Sequence, residues 1–238
     1  MTDEFEYSMA LALFDFVPVL LSSAGLLYLA RTLGLINPAI KWQALASAVL
    51  IIAGGFCKVF WKFLIAATDV HYPVLNNMFF ILLAPGFTLL TYYLWAARAF
   101  YQQRVVSRSA IAWPWLIIAV FAVVAGYLAL TFPEQRRWFL ALLVLVTVSN
   151  VVFIWHAVRH SLQLKLRGSA WLFVLNLVGV FVLAGLARAG HQHEAVQWVE
   201  QILNAFTQGA LLAAAWMLYQ THRQVPSQAP RFSHSAQL

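Results

Sequence analysis

Apolar residues fall along this chain in seven long runs separated by short polar stretches: Ser8 to Ala30, Trp42 to Leu64, Pro73 to Ala97, Ala110 to Thr131, Trp138 to Trp155, Ala170 to Ala187 and Val196 to Tyr219. Each is about 18 to 25 residues, the length a helix rising about 1.5 Å per residue needs to cross bilayer hydrocarbon. The runs lack the two-residue alternation of barrel strands, and backbone exposed to lipid must satisfy its own hydrogen bonds, so they predict helices. The fold expected is an all-α membrane protein, a bundle of seven transmembrane helices. No connection between runs is long enough to fold by itself. One domain over residues 1–220 is therefore expected, followed by a polar tail, Thr221 to Leu238, with too little apolar surface to order itself. Met1 to Tyr7 carries Asp3, Glu4 and Glu6 where a cleaved signal would carry positive charge, so the first run is read as a retained span.

Composition agrees with the pattern: 63% of residues are hydrophobic and 10% charged, against about 25% charged in soluble domains. The basic residues then give the bundle a direction. Arg31, Lys41, Arg98, Arg104, Arg108, Arg159, Lys165, Arg167, Arg223 and Arg231 fall on one side, whereas Arg136, Arg137 and Arg188 share the other with Asp69, Glu134 and Glu194. Positive residues mark the cytoplasmic side, so the amino terminus is expected outside and the carboxyl terminus inside. The net charge of +7 thus belongs to loops beside anionic headgroups, and no nucleic-acid partner is expected. The absence of an Asn-x-Ser/Thr sequon, with the short loops, favours a bacterial inner membrane. The lone Cys57 can form no internal disulfide or thiolate cage and is read as a small apolar residue.

Two alignments suggest an internal repeat. Pro85-Gly86 placed over Gln208-Gly209 brings the third span onto the seventh, and Arg31 over Arg159 brings the first onto the fifth, each pair running the same way. Three helices, a linker helix and three more would follow. This layout resembles the seven-helix sugar and vitamin carriers built as three plus one plus three, a resemblance of architecture that implies parallel repeats around a central site. Opsins and many receptors also have seven helices, so fold alone does not give function.

Polar residues inside the spans carry the candidate chemistry, because an ionisable group in hydrocarbon costs several kcal/mol unless it faces protein or water. In the seventh span His193, Gln197, Glu200, Asn204 and Thr207 recur at helical spacing, with Gln201 and Gln208 flanking them, and the rest of the helix after Gly209 is apolar. This predicts a polar pocket open to the outside and closed below. Lys58 and Lys62, four residues apart on one face of the second span, lie in its outer part. Asp15 lies roughly 10 Å below the outer boundary of the first span, and Glu200 at a comparable depth in the seventh. Pairing of Lys58 with Asp15 or Glu200 is the economical expectation, with Lys62 reaching the surface. The candidate substrate-binding residues are Asp15, Lys58, Lys62, Asn77, Gln197, Glu200, Asn204 and Gln208, with Asn76 beside them. A single structural bridge between helices would need fewer polar groups than this stripe provides. Asn150 and Asn176, each isolated in its span, are read as interhelical hydrogen-bond partners. Gly54, Gly55, Gly86 and Gly209 stand where helices bend or slide, or where they pack closely.

His71 and the run His191-Gln192-His193-Glu194 make an outward metal site conceivable; solvated loop histidines are the commoner reading, and no metal or other cofactor is expected. His156 and His160 stand apart at the inner end of the fifth span. The seventh span has no lysine for retinal, and phosphate-binding glycine loops, a Gly-x-Ser-x-Gly elbow and a Cys-x-x-Cys pair are absent. The function expected is a small transporter-like protein with an outward-facing cavity for a small anionic or zwitterionic solute, coupled to protons through Glu200 or Asp15. Its partners would be the lipid bilayer and that ligand. One alternative is a ligand sensor or accessory subunit working as a homo-oligomer or with a membrane partner. The other is a membrane enzyme acting on an outer-leaflet lipid, with His193 and Glu200 as acid and base.

Overall fold

The computed structural model describes residues 8–68, 70–188 and 194–224, and all regular structure among them is helical. The α-helices are α1 (Met9–Phe14), α2 (Phe16–Ile36), α3 (Lys41–Thr68), α4 (Pro73–Tyr101), α5 (Ala112–Thr131), α6 (Trp138–Gln163), α7 (Arg167–Arg188) and α8 (Glu194–Gln224). With α1 and α2 counted as one crossing, seven are long and apolar enough to span a membrane, which makes this an integral multi-pass helical protein in contact with the lipid bilayer. Helices run past the apolar runs at several ends: α6 continues from Trp155 to Gln163, and α8 to Gln224, so the first residues of the expected tail, Thr221–Gln224, are helical. The remainder of that tail lies outside the described residues.

The chain enters at one end of the bundle, here the amino-terminal face, where α3 ends and α4 begins; α4 and α6 end at the opposite, carboxyl-terminal face. Neighbours around the bundle follow one ring: α2 packs on α3, α3 on α4, α4 on α6, α6 on α7, α7 on α8, and α8 back on α2. The fourth crossing, α5, lies outside the ring against α6 and α4, with Val123, Tyr127 and Leu130 exposed and only Pro114 and Ala125 buried.

Small residues set the close approaches. A Cβ on Gly54 of α3 would strike Leu83 and lie 2.9 Å from the Phe79 carbonyl of α4, and one on Gly86 would lie 3.1 Å from the Ser47 carbonyl of α3. A Cβ on Gly25 of α2 would approach the Leu212 backbone of α8 to 3.1 Å, and one on Gly179 of α7 would collide with Thr207. In lipid, where no hydrophobic force draws helices together, such contacts and interhelical hydrogen bonds hold the bundle. Among the latter are Thr88 to Ser149 (3.0 Å), Ser169 to the Ala214 carbonyl (3.1 Å) and Asn176 to the Thr207 carbonyl (2.9 Å).

Packing is uneven along the bundle axis. Toward the amino-terminal face the buried positions stop at Val59 on α3, Leu83 on α4, Leu142 on α6, Gly179 on α7 and Thr207 on α8. The main core, with Leu29, Leu33, Leu90, Leu94, Phe153, Phe173 and Leu218, occupies the carboxyl-terminal half. The short α1 with Leu11 and Ala12, its C-cap Asp15 and Pro18 in the first turn of α2 add buried residues nearer the amino-terminal face, where α1 packs on α3 and α8.

Candidate functional site

Asp15 sits where the α1 helix ends and α2 begins, and is 3% exposed. Its Oδ2 is 2.6 Å from Lys62 Nζ of α3, while Oδ1 is buried with no hydrogen bond. Lys62 therefore pairs inward, rather than reaching the surface as its position near the helix end suggested. Phe16 packs edge-on against Phe60 at 5.4 Å, between ring centroids, and holds the same two segments together.

Lys58, one turn deeper on α3, is half-buried. Its ammonium donates to Asn76 Oδ1 of α4 at 2.6 Å and lies over the Trp61 ring, 4.4 Å from its centroid. It forms no ion pair with a described carboxylate, so the expected pairing with Asp15 or Glu200 is not made. The reason lies in the ring: α3 neighbours α2 and α4, whereas Glu200 is on α8, beyond α2. Asn77 accepts from Arg136 at 2.8 Å, just before α6. Asn76, Trp61 and Arg136 thus belong to this group; only Asn76 was suggested by sequence, because neither a loop arginine nor an aromatic one turn from a lysine gives a specific signal.

The α8 stripe divides. Gln197, Glu200, Asn204 and Gln208 are half-buried, and Gln208 donates to Asn204 at 3.3 Å. Gln201 Oε1 is buried without a partner. Thr207 instead fits against Gly179, closing α8 onto α7. Asn176 bonds across to α8 as the sequence suggested. Asp15, Lys58, Lys62 and Asn77 therefore gather on α1, α3 and α4, and the α8 residues form a second group at the same loosely packed end. Of the histidine group, His191 and His193 lie outside the described residues. His71 packs edge-on on Trp61 at 5.4 Å between ring centroids. Among the described residues no three His, Cys, Asp or Glu side chains are grouped to hold a metal.

A cleft of about 590 Å³ lies elsewhere and is apolar: Phe14, Leu21, Leu172, Leu175, Ile202 and Phe206 line it, with Gly209 and three alanines of α8. It is an open groove between α2, α7 and α8, suited to lipid chains rather than to a polar solute.

The carboxyl-terminal face is closed by a group that sequence reasoning left apart. His160 of α6 is fully buried, and its Nε2 lies 2.9 Å from His222 Nε2 of α8. The ring planes agree within 2° with centroids 5.1 Å apart, so the imidazoles meet edge to edge and one ring donates to the other. Tyr101 of α4 stands perpendicular to both rings, at 5.5 and 5.9 Å. Three helices thus converge across this end of the ring. Beside them Arg98 Nη1 lies 2.8 Å from His156 Nδ1. Comparison with protein-family models, curated proteins and solved structures finds no match to this chain.

Proposed function

We propose that this chain is a small membrane carrier whose site opens on the amino-terminal face and takes a small anionic or zwitterionic solute. The observation that carries this reading is the loss of buried positions along α3, α4, α6, α7 and α8 toward that face, around a lysine that forms no ion pair with a carboxylate among the described residues. A half-buried ammonium held by an amide and an aromatic face retains attraction for an anion. The solute's anionic group would meet Lys58 and Asn76, with Gln197, Asn204 and Gln208 offering hydrogen bonds from α8. Asp15 and Glu200 are the groups through which proton coupling would run.

The neighbour ring supports the repeat reading. Mapping the first crossing to the fifth, the second to the sixth and the third to the seventh carries every neighbour pair of the ring onto another, and leaves α5 outside as the linker. In a carrier of this kind the Tyr101, His160 and His222 contact is the closed gate, and α1, tied by Asp15 to Lys62, is the element that moves on the open side. The arginines of the carboxyl-terminal face support a cytoplasmic orientation for it, in the plasma membrane of a bacterium.

The test is purification in mild detergent followed by mass spectrometry of retained small molecules, for the wild type, Lys58→Met and Glu200→Gln. The expected result is an anionic or zwitterionic compound that is lost in Lys58→Met and drives proton-linked flux in liposomes bearing the wild type. No retained compound, with both variants less stable than the wild type, would leave these charges as helix-to-helix contacts and end the carrier reading.

A further inference from the structure

The buried cation at the opposite end pairs with no carboxylate among the described residues. Arg98, in the last turn of α4, is 8% exposed, and its Nε is buried without a hydrogen bond. His156 Nδ1, the partner of Nη1, accepts only when that nitrogen carries no proton, so it satisfies a donor without supplying charge. No Asp or Glu occurs in the segments that form this face, 31–45, 98–113, 156–170 and 218–224, nor in residues 225–238. Arg159 and Arg104, which act on Arg98 among the described residues, share its sign. Arg159 stacks on Trp155, 4.9 Å from the ring centroid, and brings no anion with it. The carboxyl end of α4 presents about half an elementary negative charge, which offsets only part of a full guanidinium. A buried charge left this way is strongly unfavourable.

We propose that Arg98 anchors an oxyanion site on the carboxyl-terminal face and that its ligand is a phosphoryl group. The guanidinium fork has N–H groups in the spacing that phosphate oxygens accept, and Arg159 beside it adds a second positive charge, which suits a group carrying more than one negative oxygen. Arg98 lies three residues before the end of α4, or roughly 5 Å of helix, within reach of both a lipid headgroup and a phosphoryl compound arriving from water. His156 positions the guanidinium from α6. The site shares no residue with the one around Lys58 and stands whether or not that one carries solute.

The experiment is thermal unfolding of the purified protein at constant ionic strength, with inorganic phosphate replacing chloride in one arm. A second arm uses nanodiscs of phosphatidylglycerol against nanodiscs of phosphatidylcholine. Wild type and Lys58→Met are expected to be stabilised in at least one arm; a response to inorganic phosphate marks a soluble phosphoryl ligand, and a response to phosphatidylglycerol alone marks a headgroup. Arg98→Gln should weaken the apparent affinity at least tenfold and Arg98→Lys less, because it keeps the charge and loses the fork. Arg104→Gln, which removes an exposed charge of the same sign, should respond as wild type does. No response of the wild type in either arm overturns the proposal, as does an equal response in Arg98→Gln or an equal loss in Arg104→Gln. Should Arg98→Gln fail to fold, the comparison of Arg98→Lys with Arg104→Gln decides in the same way.

Discussion

Replacing either partner of the Asp15–Lys62 pair should be far more costly than replacing both. The charges are 2.6 Å apart with side-chain exposures of 4% and 16%, which places the pair among buried rather than surface bridges. At an effective dielectric of about 20 the attraction is roughly 6 kcal/mol before desolvation, and removal of both charges from water offsets most of it. Deleting one partner forfeits the attraction and leaves the desolvation, a loss of about 3–5 kcal/mol. Asp15→Asn should fall at the lower end, because the Lys62 stem can carry its ammonium toward the interface. Lys62→Met should fall at the upper end, because Asp15 Oδ1 already lacks a hydrogen bond. The double variant should return to within about 1 kcal/mol of wild type, so that the two single losses exceed the double loss by about 5 kcal/mol or more. Equilibrium unfolding by detergent titration, followed by fluorescence of the ten tryptophans, reads all four proteins. Single losses under about 1 kcal/mol that simply add in the double variant would refute the reasoning and class the pair with solvated surface bridges.

Two other expectations follow from the packing and the charge distribution. Gly54→Ala should cost about 1–3 kcal/mol, since its methyl meets Leu83 and the Phe79 carbonyl; Gly126→Ala, with nothing within 4 Å, should stay within about 1 kcal/mol of wild type in the same titration. In a Cys57→Ser background, a membrane-impermeant maleimide should label Glu134→Cys in intact cells and Val105→Cys only after permeabilisation, and the reverse pattern would invert the orientation.

The crossings were legible because hydrocarbon imposes a length and a hydropathy on each, while their ends were not, because helices such as α6 continue into the interface, where polar residues are welcome. Lys58 and Lys62 could be placed on one face from their spacing of four, yet their partners could not be named. Sequence gives depth in a membrane but not direction around the bundle, so Glu200 looked as near to Lys58 as Asn76 proved to be. The closing contact at the carboxyl-terminal face joins single residues from α4, α6 and α8, and Tyr101, His160 and His222 share no periodicity that could have linked them. For Arg98 a signal was available: an arginine that directly follows an apolar run and is itself followed by Ala-Phe-Tyr, on a side of the molecule whose segments carry no carboxylate.

The packing of α2 on α8 also sets the order in which the protein can be made. Gly25 of α2 meets Leu212 of α8, and Tyr28 meets Tyr219, so a crossing that leaves the ribosome early finds its partner in one made much later. At 5–20 residues per second, translation of the intervening chain takes roughly 10–40 s. During that interval the α2 surface destined for α8 must be held by lipid or by an insertion factor. A chain stopped before α8 cannot close its ring, so quality control that samples open bundles would remove such fragments while sparing the finished protein.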